Sequence, residues 1–111
     1  MAELLNGLKR TDMCGNLRKN DENREVVVMG FVAKTRDLGN LVFIDLRDRT
    51  GIVQLAFDAG VDAALTDKAR SVRAEYVVSA KGTVRLRTGK NINENMPTGD
   101  VEIDVKDLRI L

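Results

Sequence analysis

Two short runs of alternating apolar residues, LVFIDLR over 41–47 and IVQLAF over 52–57, limit the folds open to this chain. A period of two predicts half-buried β-strands, and the DRTG between them is typical of a tight turn, so the runs predict a hairpin. Pairing Asp48 with Gly51 brings the apolar sets onto one face, whereas a one-residue slip would set core side chains against the solvent face. This register places Phe43 and Gln54 together on the outward face.

The residues that flank the hairpin predict one more strand before it and a helix after it. Residues 24–36 are apolar and β-branched on both faces, which predicts a central strand covered on each side, and Gly30 in its middle predicts a bend. Residues 61–72 carry apolar groups at helical spacing and predict a short amphipathic helix. The apolar stripe of this helix consists of Val61, Leu65, Ala69 and Val72.

Alternation returns over residues 75–87, which predict a fourth strand. Its apolar face consists of Tyr76, Val78, Ala80, Gly82, Val84 and Leu86. Its other face carries Arg85 and Arg87, which we expect to point outward. After a polar loop over 88–99, Val101 begins a fifth strand in which apolar and charged residues alternate.

Five strands with a short helix between the third and the fourth predict an all-β fold, the five-stranded OB-fold Greek-key barrel. An SH3-like barrel would not explain the helix, and a split βαβ fold would need a second helix of similar length. We expect residues 1–111 to form a single domain with a short N-terminal extension over about 1–20. A chain of this size buries roughly two thirds of its unfolded surface, which is enough for a core without metal or disulfide support.

Composition excludes several classes of site. The chain has no histidine, which excludes Ser-His-Asp, Cys-His and HExxH sites, and its one cysteine, Cys14, excludes an intramolecular disulfide and a thiolate zinc cluster. We therefore predict no catalytic residue and no metal site. The net charge of +1 argues against a protein that coats nucleic acid by bulk charge. Without a signal-peptide core or an apolar run approaching ~20 residues, we expect a cytoplasmic protein that does not enter a membrane.

Phe43 is the most informative candidate binding residue, because its strand has a well-formed apolar face and the ring lies on the other one. On the second strand of an OB-fold, an outward aromatic ring can stack a base for ~1 to 3 kcal/mol. The alternative is that the 88–99 loop or a neighbouring domain covers the ring. The pattern alone gives these two interpretations about equal weight.

The polar candidates also have two interpretations each. The guanidinium groups of Arg85 and Arg87 suit phosphates or base edges, but taken alone these residues favour ordinary surface ion pairs with Glu102 and Asp104. Gln54 can read a base by donating and accepting at once, and Glu102 can read one by accepting only.

Two asparagines of the 88–99 loop have the same ambiguity. Asn91 and Asn93 either stabilise turns or direct their amides to bases.

The run RDLGNLVFIDLRDRTGIVQ over 36–54 resembles the N-terminal anticodon-binding domain of bacterial aspartyl-tRNA synthetases. The resemblance continues in CGNLR over 14–18, EYVVSAKGTVRLR over 75–87 and NINENMPTGDVEI over 91–103, so it covers nearly the whole chain. It implies an OB-fold whose partner is the anticodon loop of the aspartate tRNA.

The resemblance also implies a longer parent enzyme. Attachment of aspartate to tRNA, with ATP and Mg²⁺, would belong to a C-terminal catalytic domain that follows Leu111 and is absent from this chain. We therefore expect an excised piece of a homodimeric ligase, with no cofactor and no enzymatic activity of its own.

The resemblance further implies which residues contact RNA. Phe43 matches the aromatic that stacks on the central anticodon uracil, and Gln54 matches a glutamine that contacts the same region. Glu102 matches the reader of the first-position guanine, whose amino and imino groups both donate to a carboxylate. Contacts to loop nucleotides are implied for Arg36, Arg85, Arg87, Asn91 and Asn93. Leu38 stands where enzymes with relaxed tRNA specificity often carry His, which favours strictness for the aspartate tRNA.

Two other functions are compatible with the residues. A general single-stranded nucleic-acid-binding OB-fold protein would bind with little sequence preference, although such a protein normally has a broader basic groove and more stacking aromatics. An interaction domain would instead dock a protein on the Phe43 face.

Overall fold

A computed structural model describes residues 9–111, without the side chain of Lys90, and shows five strands closed into a barrel. The strands are β1 (Glu25–Asp37), β2 (Leu41–Asp48), β3 (Gly51–Asp58), β4 (Val77–Leu86) and β5 (Val101–Ile110), with the helix α1 (Ala63–Ser71) between β3 and β4. They close in the order β1-β2-β3-β5-β4, with β3 and β5 parallel and the other neighbours antiparallel. The predicted five-stranded barrel, with its helix between the third and fourth strands, is confirmed.

The β2–β3 hairpin has the predicted register. Asp48 pairs with Gly51 and Asp45 with Gln54. The carboxylate of Asp48 accepts hydrogen bonds from the Thr50 backbone N–H at 2.8 Å and from the Thr50 hydroxyl at 2.6 Å, which fixes the two-residue turn. The hairpin therefore presents the predicted set of side chains on its outward face.

The strand β1 pairs with two neighbours in succession, because residues 25–31 pair with β4 and residues 31–37 pair with β2. Gly30 lies where the strand passes from one neighbour to the other. A Cβ atom at Gly30 would lie 2.2 Å from the carbonyl oxygen of Arg47, so only glycine allows this close approach. The glycine thus occupies the part of the strand for which a bend is predicted.

Branched aliphatic side chains with almost no exposed surface fill the barrel, and burial of each stabilises the fold by about 1.5 to 3 kcal/mol. They include Val26, Val28, Ile44, Leu46, Val53, Leu55, Val84, Ile103 and Leu108. Cys14 and Leu17 join this cluster from the N-terminal segment. Of the extension predicted over residues 1–20, the part from residue 9 is described and contributes to the core, while residues 1–8 lie outside the described residues.

The helix is shorter than predicted, and two members of its expected apolar stripe lie outside it. Val61 is 73% exposed and precedes α1, which begins only at Ala63, whereas Val72 follows the last helical residue and is buried. The late start is due to the Asp62 carboxylate, which accepts a hydrogen bond from the Leu65 backbone N–H at 3.0 Å and so caps the helix after Val61. Among residues 9–111, no helix reaches the length and apolar content needed to cross a membrane.

The ends of the fourth strand also differ from the prediction. Tyr76, expected on the apolar face, is 42% exposed because it precedes β4 in a turn, where its backbone N–H donates to the Arg73 carbonyl at 3.1 Å. Leu86, at the other end of β4, is 36% exposed. Alternation thus holds inside the barrel wall and fails where the strand leaves it.

Candidate nucleic-acid interface

The outward face of β1, β2 and β3 and the loop between β4 and β5 enclose a cavity of about 600 Å³, which we call the central pocket. Six of the eight predicted binding residues line it, namely Arg36, Phe43, Gln54, Arg87, Asn91 and Asn93. The other two, Arg85 and Glu102, lie beside it and connect to it through Gln54. The fold thus gathers the eight residues from five strands and one loop.

Phe43 is half-buried and forms part of the pocket wall. It pairs with Arg36 across β1 and β2, and the Cζ atom of Arg36 lies 5.1 Å from the centre of the ring, within the range of a cation–π interaction. The loop forms the other wall of the pocket, so it limits the exposure of the ring without filling the space in front of it, and base stacking remains a prediction. The ring lies on the outward face, and the loop bounds the space in front of it.

A chain of four side chains runs beside the ring. Nη2 of Arg36 donates to Oε1 of Gln54 at 3.0 Å, and Nε2 of Gln54 donates to Oε1 of Glu102 at 2.9 Å. Nε of Arg85 donates to Oε2 of Glu102 at 2.6 Å. Gln54 and Glu102 are 4% and 9% exposed, so this chain fixes the direction of the Gln54 amide before any ligand arrives.

Strand pairing, rather than nearness in sequence, brings these four side chains together. The parallel pairing of β3 and β5 places Gln54 beside Glu102, and the antiparallel pairing of β4 and β5 places Arg85 on the other side of Glu102. The strand order places β5 between β3 and β4. The network of four side chains therefore depends on pairings between strands that are far apart in the sequence.

Arg85 forms the surface ion pairs that were the alternative to a binding role. Besides Glu102, it approaches Asp104, with 3.7 Å between Nη1 and Oδ1. Its side chain is 45% exposed, and ion pairs at that exposure add about 0 to 1 kcal/mol to stability. This weak pairing leaves Arg85 able to rearrange toward a phosphate.

Arg87 does not point to solvent as expected; it is 7% exposed, because the 88–99 loop folds back over the end of β4. Its Nε donates to the Val101 carbonyl at 3.0 Å and its Nη1 to the Asn91 carbonyl at 3.2 Å, whereas Nη2 has no partner among the described residues. Burial lowers the pKa of Arg87, against the opposing effect of Glu102 and Asp45. An arginine remains charged at neutral pH, so the pocket holds a cation with a free donor.

Hydrogen bonds within the 88–99 loop and from the loop to β3 hold the loop in place. The Asn93 side chain accepts from the Asn95 backbone N–H at 3.0 Å, so it stabilises a turn, as one interpretation predicts. A Cβ atom on Gly99 would lie 1.6 Å from the Asn93 carbonyl oxygen, so the loop closes on itself only with glycine there. The Thr98 hydroxyl donates to the Ile52 carbonyl. These contacts hold one wall of the pocket in place.

Several residues of the pocket were not among the predicted binding residues. Lys34 pairs with Asp45, and both line the pocket, together with the apolar side chains of Ile92 and Met96. Leu38, which the resemblance connects with tRNA specificity, also lines it. Lys34 is hidden in the sequence because the β1–β2 register shifts between Val32 and Lys34, which breaks the alternation. The loop residues carry no periodic signal at all.

The pocket is suited to binding rather than to bond chemistry. It offers an aromatic ring, a fixed amide and cationic donors, which match a flat base and a phosphate. Within the part of the chain that the structure describes, no group of three or more His, Cys, Asp or Glu side chains lies close enough together to hold a metal ion.

Comparison with known proteins places these features in a family. Residues 26–111 match a family model described as an OB-fold nucleic acid binding domain, of the tRNA anticodon type. The aspartate–tRNA(Asp/Asn) ligase of Caldanaerobacter subterraneus subsp. tengcongensis is 53% identical over 111 residues, which are 100% of this chain and 19% of that protein. The chain thus spans about a fifth of the length of the curated relatives it matches.

Two solved structures share the fold. An OBody bound to hen egg-white lysozyme is 26% identical, with a TM-score of 0.82 and coverage of 94% of both chains. The asparaginyl-tRNA synthetase of Pyrococcus horikoshii is 25% identical, with a TM-score of 0.76, and the match covers 93% of this chain and 23% of that one. The predicted OB-fold is therefore confirmed.

Proposed function

Since this chain belongs to the family of OB-fold anticodon-binding domains and is homologous to the N-terminal region of bacterial aspartate–tRNA ligases, we propose that it recognises the anticodon loop of the aspartate tRNA. The observation that carries this proposal is the position of Phe43 in the central pocket, beside a fixed chain of hydrogen-bonding groups. A stacking ring next to directed donors and acceptors can select a base, whereas a ring alone only stacks one.

The free capacity of Gln54 suits the edge of a base. Its oxygen already accepts from Arg36 and its nitrogen already donates to Glu102, so one lone pair and one N–H remain. Uracil presents a donor N3–H beside a carbonyl acceptor, which complements that remaining pair, although every base carries a donor beside an acceptor. The choice of uracil comes from the resemblance to aspartyl-tRNA synthetases, and a uracil stacked on Phe43 is the proposed occupant of the central pocket.

Glu102 is the proposed reader of the first-position guanine. Its two oxygens each accept one hydrogen bond, from Gln54 and from Arg85, and each keeps a further lone pair. Guanine donates from its imino and amino groups, so it satisfies both oxygens, whereas adenine, cytosine and uracil do not present two adjacent donors there. Arg85, Arg87, Asn91 and Asn93 would hold the neighbouring nucleotides.

The activity of the longer relatives lies beyond these residues. We propose that a parent protein, acting in the cytoplasm as a homodimer, attaches aspartate to tRNA with ATP and Mg²⁺ through parts other than this chain. The part assigned to this chain is to position the tRNA by its anticodon.

Fluorescence anisotropy with labelled anticodon stem-loops tests the proposal. We expect the 111-residue chain to bind a stem-loop with a GUC anticodon more tightly than stem-loops in which the same three bases are permuted. A GUU loop, the anticodon of the asparagine tRNA, measures how strict the third position is. Equal affinity for all loops would show a general single-stranded binder instead.

A further inference from the structure

A second cavity of about 390 Å³ lies at the tip of the β2–β3 hairpin, and we call it the tip pocket. Hairpin residues 47–52 and loop residues 95–97 line it. It shares Asn95 and Met96 with the central pocket, so the two cavities adjoin each other along the loop.

The outward face of the hairpin connects the two pockets. Phe43, Asp45 and Arg47 alternate on that face of β2, and four residues along a strand cover about 13 Å. Across the hairpin, Arg47 pairs with Ile52 of β3, which lies two residues from Gln54. A strand of RNA that leaves Phe43 in the direction of the turn therefore passes the half-buried Asp45 and then reaches the exposed Arg47.

Two cations at the tip have no counter-charge of their own. Arg47 and Arg49 are exposed, and neither forms an ion pair with any residue that the structure describes. Asp48 between them is engaged with the protein, since its carboxylate accepts from the Cys14 backbone N–H at 2.7 Å and from Thr50. Burial would raise the pKa of Asp48, but these hydrogen bonds outweigh it and hold the pKa below its usual value.

The floor of the tip pocket is apolar. Ile52, Met96 and Pro97 line it beside the two arginines. Cations next to an apolar surface complement a nucleic-acid strand, whose phosphates are anionic and whose sugar and base faces are not.

We propose that the tip pocket is a second RNA subsite, in which Arg47 and Arg49 bind backbone phosphates of the strand that leaves the central pocket. Ile52, Met96 and Pro97 contact the sugars of the same strand. This inference rests on the proposed function, because the RNA is the one held at Phe43. Contacts to phosphate carry no sequence information, so the tip pocket adds affinity without base preference.

Salt-dependent binding of the stem-loops separates this subsite from the central pocket. The double variant Arg47→Gln/Arg49→Gln should bind the GUC stem-loop about three- to ten-fold more weakly at low salt, and should lower the slope of log affinity against log salt by about 1 to 1.4. Its preference for GUC over permuted loops should persist. Arg73→Gln is the matched control, because Arg73 is exposed, lines neither pocket and has no ion-pair partner among the described residues.

A measurement on the unmodified chain supports the same test. The side-chain Nε–H resonances of Arg47 and Arg49 should shift when the GUC stem-loop is added, while that of Arg73 should not. Unchanged affinity, salt slope and resonances, with the GUC preference intact, would overturn the tip pocket and leave the proposed function standing. Weaker binding by the double variant in a chain without any GUC preference would support the tip pocket and overturn the anticodon proposal.

Discussion

The central pocket and the turn of the β2–β3 hairpin both contain a polar cluster, but the two clusters are built differently. At the turn, Asp48 and Thr50 accept from the backbone N–H groups of Cys14 and Gly15, at 2.7 and 2.8 Å. In the central pocket, side chains bond to side chains, as Gln54 does with Arg36 and Glu102. The first cluster ties two chain segments together, and the second leaves donors and acceptors free. Of these two clusters, the second therefore has the free donors and acceptors that the proposed binding role requires.

The largest expected effect of a substitution falls on the turn cluster. Asp48→Ala removes the acceptor of three hydrogen bonds and leaves backbone N–H groups unpaired, so we expect it to lower the free energy of unfolding by about 2 to 3 kcal/mol. Urea titration followed by circular dichroism measures this loss. At temperatures where the variant is folded, its preference for the GUC stem-loop over permuted loops should persist, because Asp48 lines the tip pocket and not the central pocket; a loss of that preference would show that the turn cluster takes part in base selection.

The next effect belongs to the central pocket and should fall on binding. Phe43→Ala removes the proposed stacking surface, and we expect it to cost about 1 to 3 kcal/mol of RNA affinity. Fluorescence anisotropy with the GUC stem-loop measures it. Phe43→Tyr keeps an aromatic face and serves as the control. Unchanged affinity in the alanine variant would place the RNA elsewhere.

A smaller effect should appear in base preference. Gln54→Leu keeps a similar volume but removes the amide, so Arg36 and Glu102 lose the group between them. We expect the GUC stem-loop to lose about 1 to 2 kcal/mol of its advantage over permuted loops. Competition between differently labelled stem-loops gives this ratio directly. An equal loss for all loops would mean that Gln54 supports affinity but not selection.

The smallest effect concerns pH. Burial raises the pKa of Asp48, but the hydrogen bonds from Thr50 and Cys14 lower it by more, so the pKa in the folded chain lies below that in the unfolded chain. A carboxyl group whose pKa is lower in the folded chain than in the unfolded chain stabilises the fold at pH values above its unfolded pKa, near about 3.9. That stabilisation is lost as the pH falls through the pKa of the folded chain. The unmodified chain should therefore lose stability below about pH 4 more steeply than Asp48→Asn does. Parallel acid denaturation curves would contradict this.

Structural features that depend on neighbouring residues could be predicted from the sequence. The parity of the β2–β3 hairpin follows from alternation around one tight turn, and it gave both the pairing of Asp45 with Gln54 and the outward position of Phe43. The fold class followed from the order of such segments. Binding roles for the eight candidate residues remain predictions, although the fold brings six of them to one pocket.

Alternation failed where chain segments meet irregularly. In β5 the register shifts opposite Lys81 and Gly82, so the buried positions pass from Val105 to Leu108 instead of following every second residue. The burial of Arg87 was missed for a related reason, because a loop without periodic residues covers it. Such packing has no local signature in the sequence.

The amino-acid sequence by itself determined the strands, the faces of the hairpin and the absence of histidine chemistry, since each depends on residue types and short-range spacing. Only the tertiary structure decided that Gln54 bonds to Glu102, 48 residues away, and that Nη2 of the buried Arg87 has no partner among the described residues. The first contact requires β3 and β5 to lie side by side, and the burial of Arg87 requires the 88–99 loop to fold over the end of β4. The proposed binding surface is therefore a product of long-range strand pairing and loop packing, while its components are already present in the sequence.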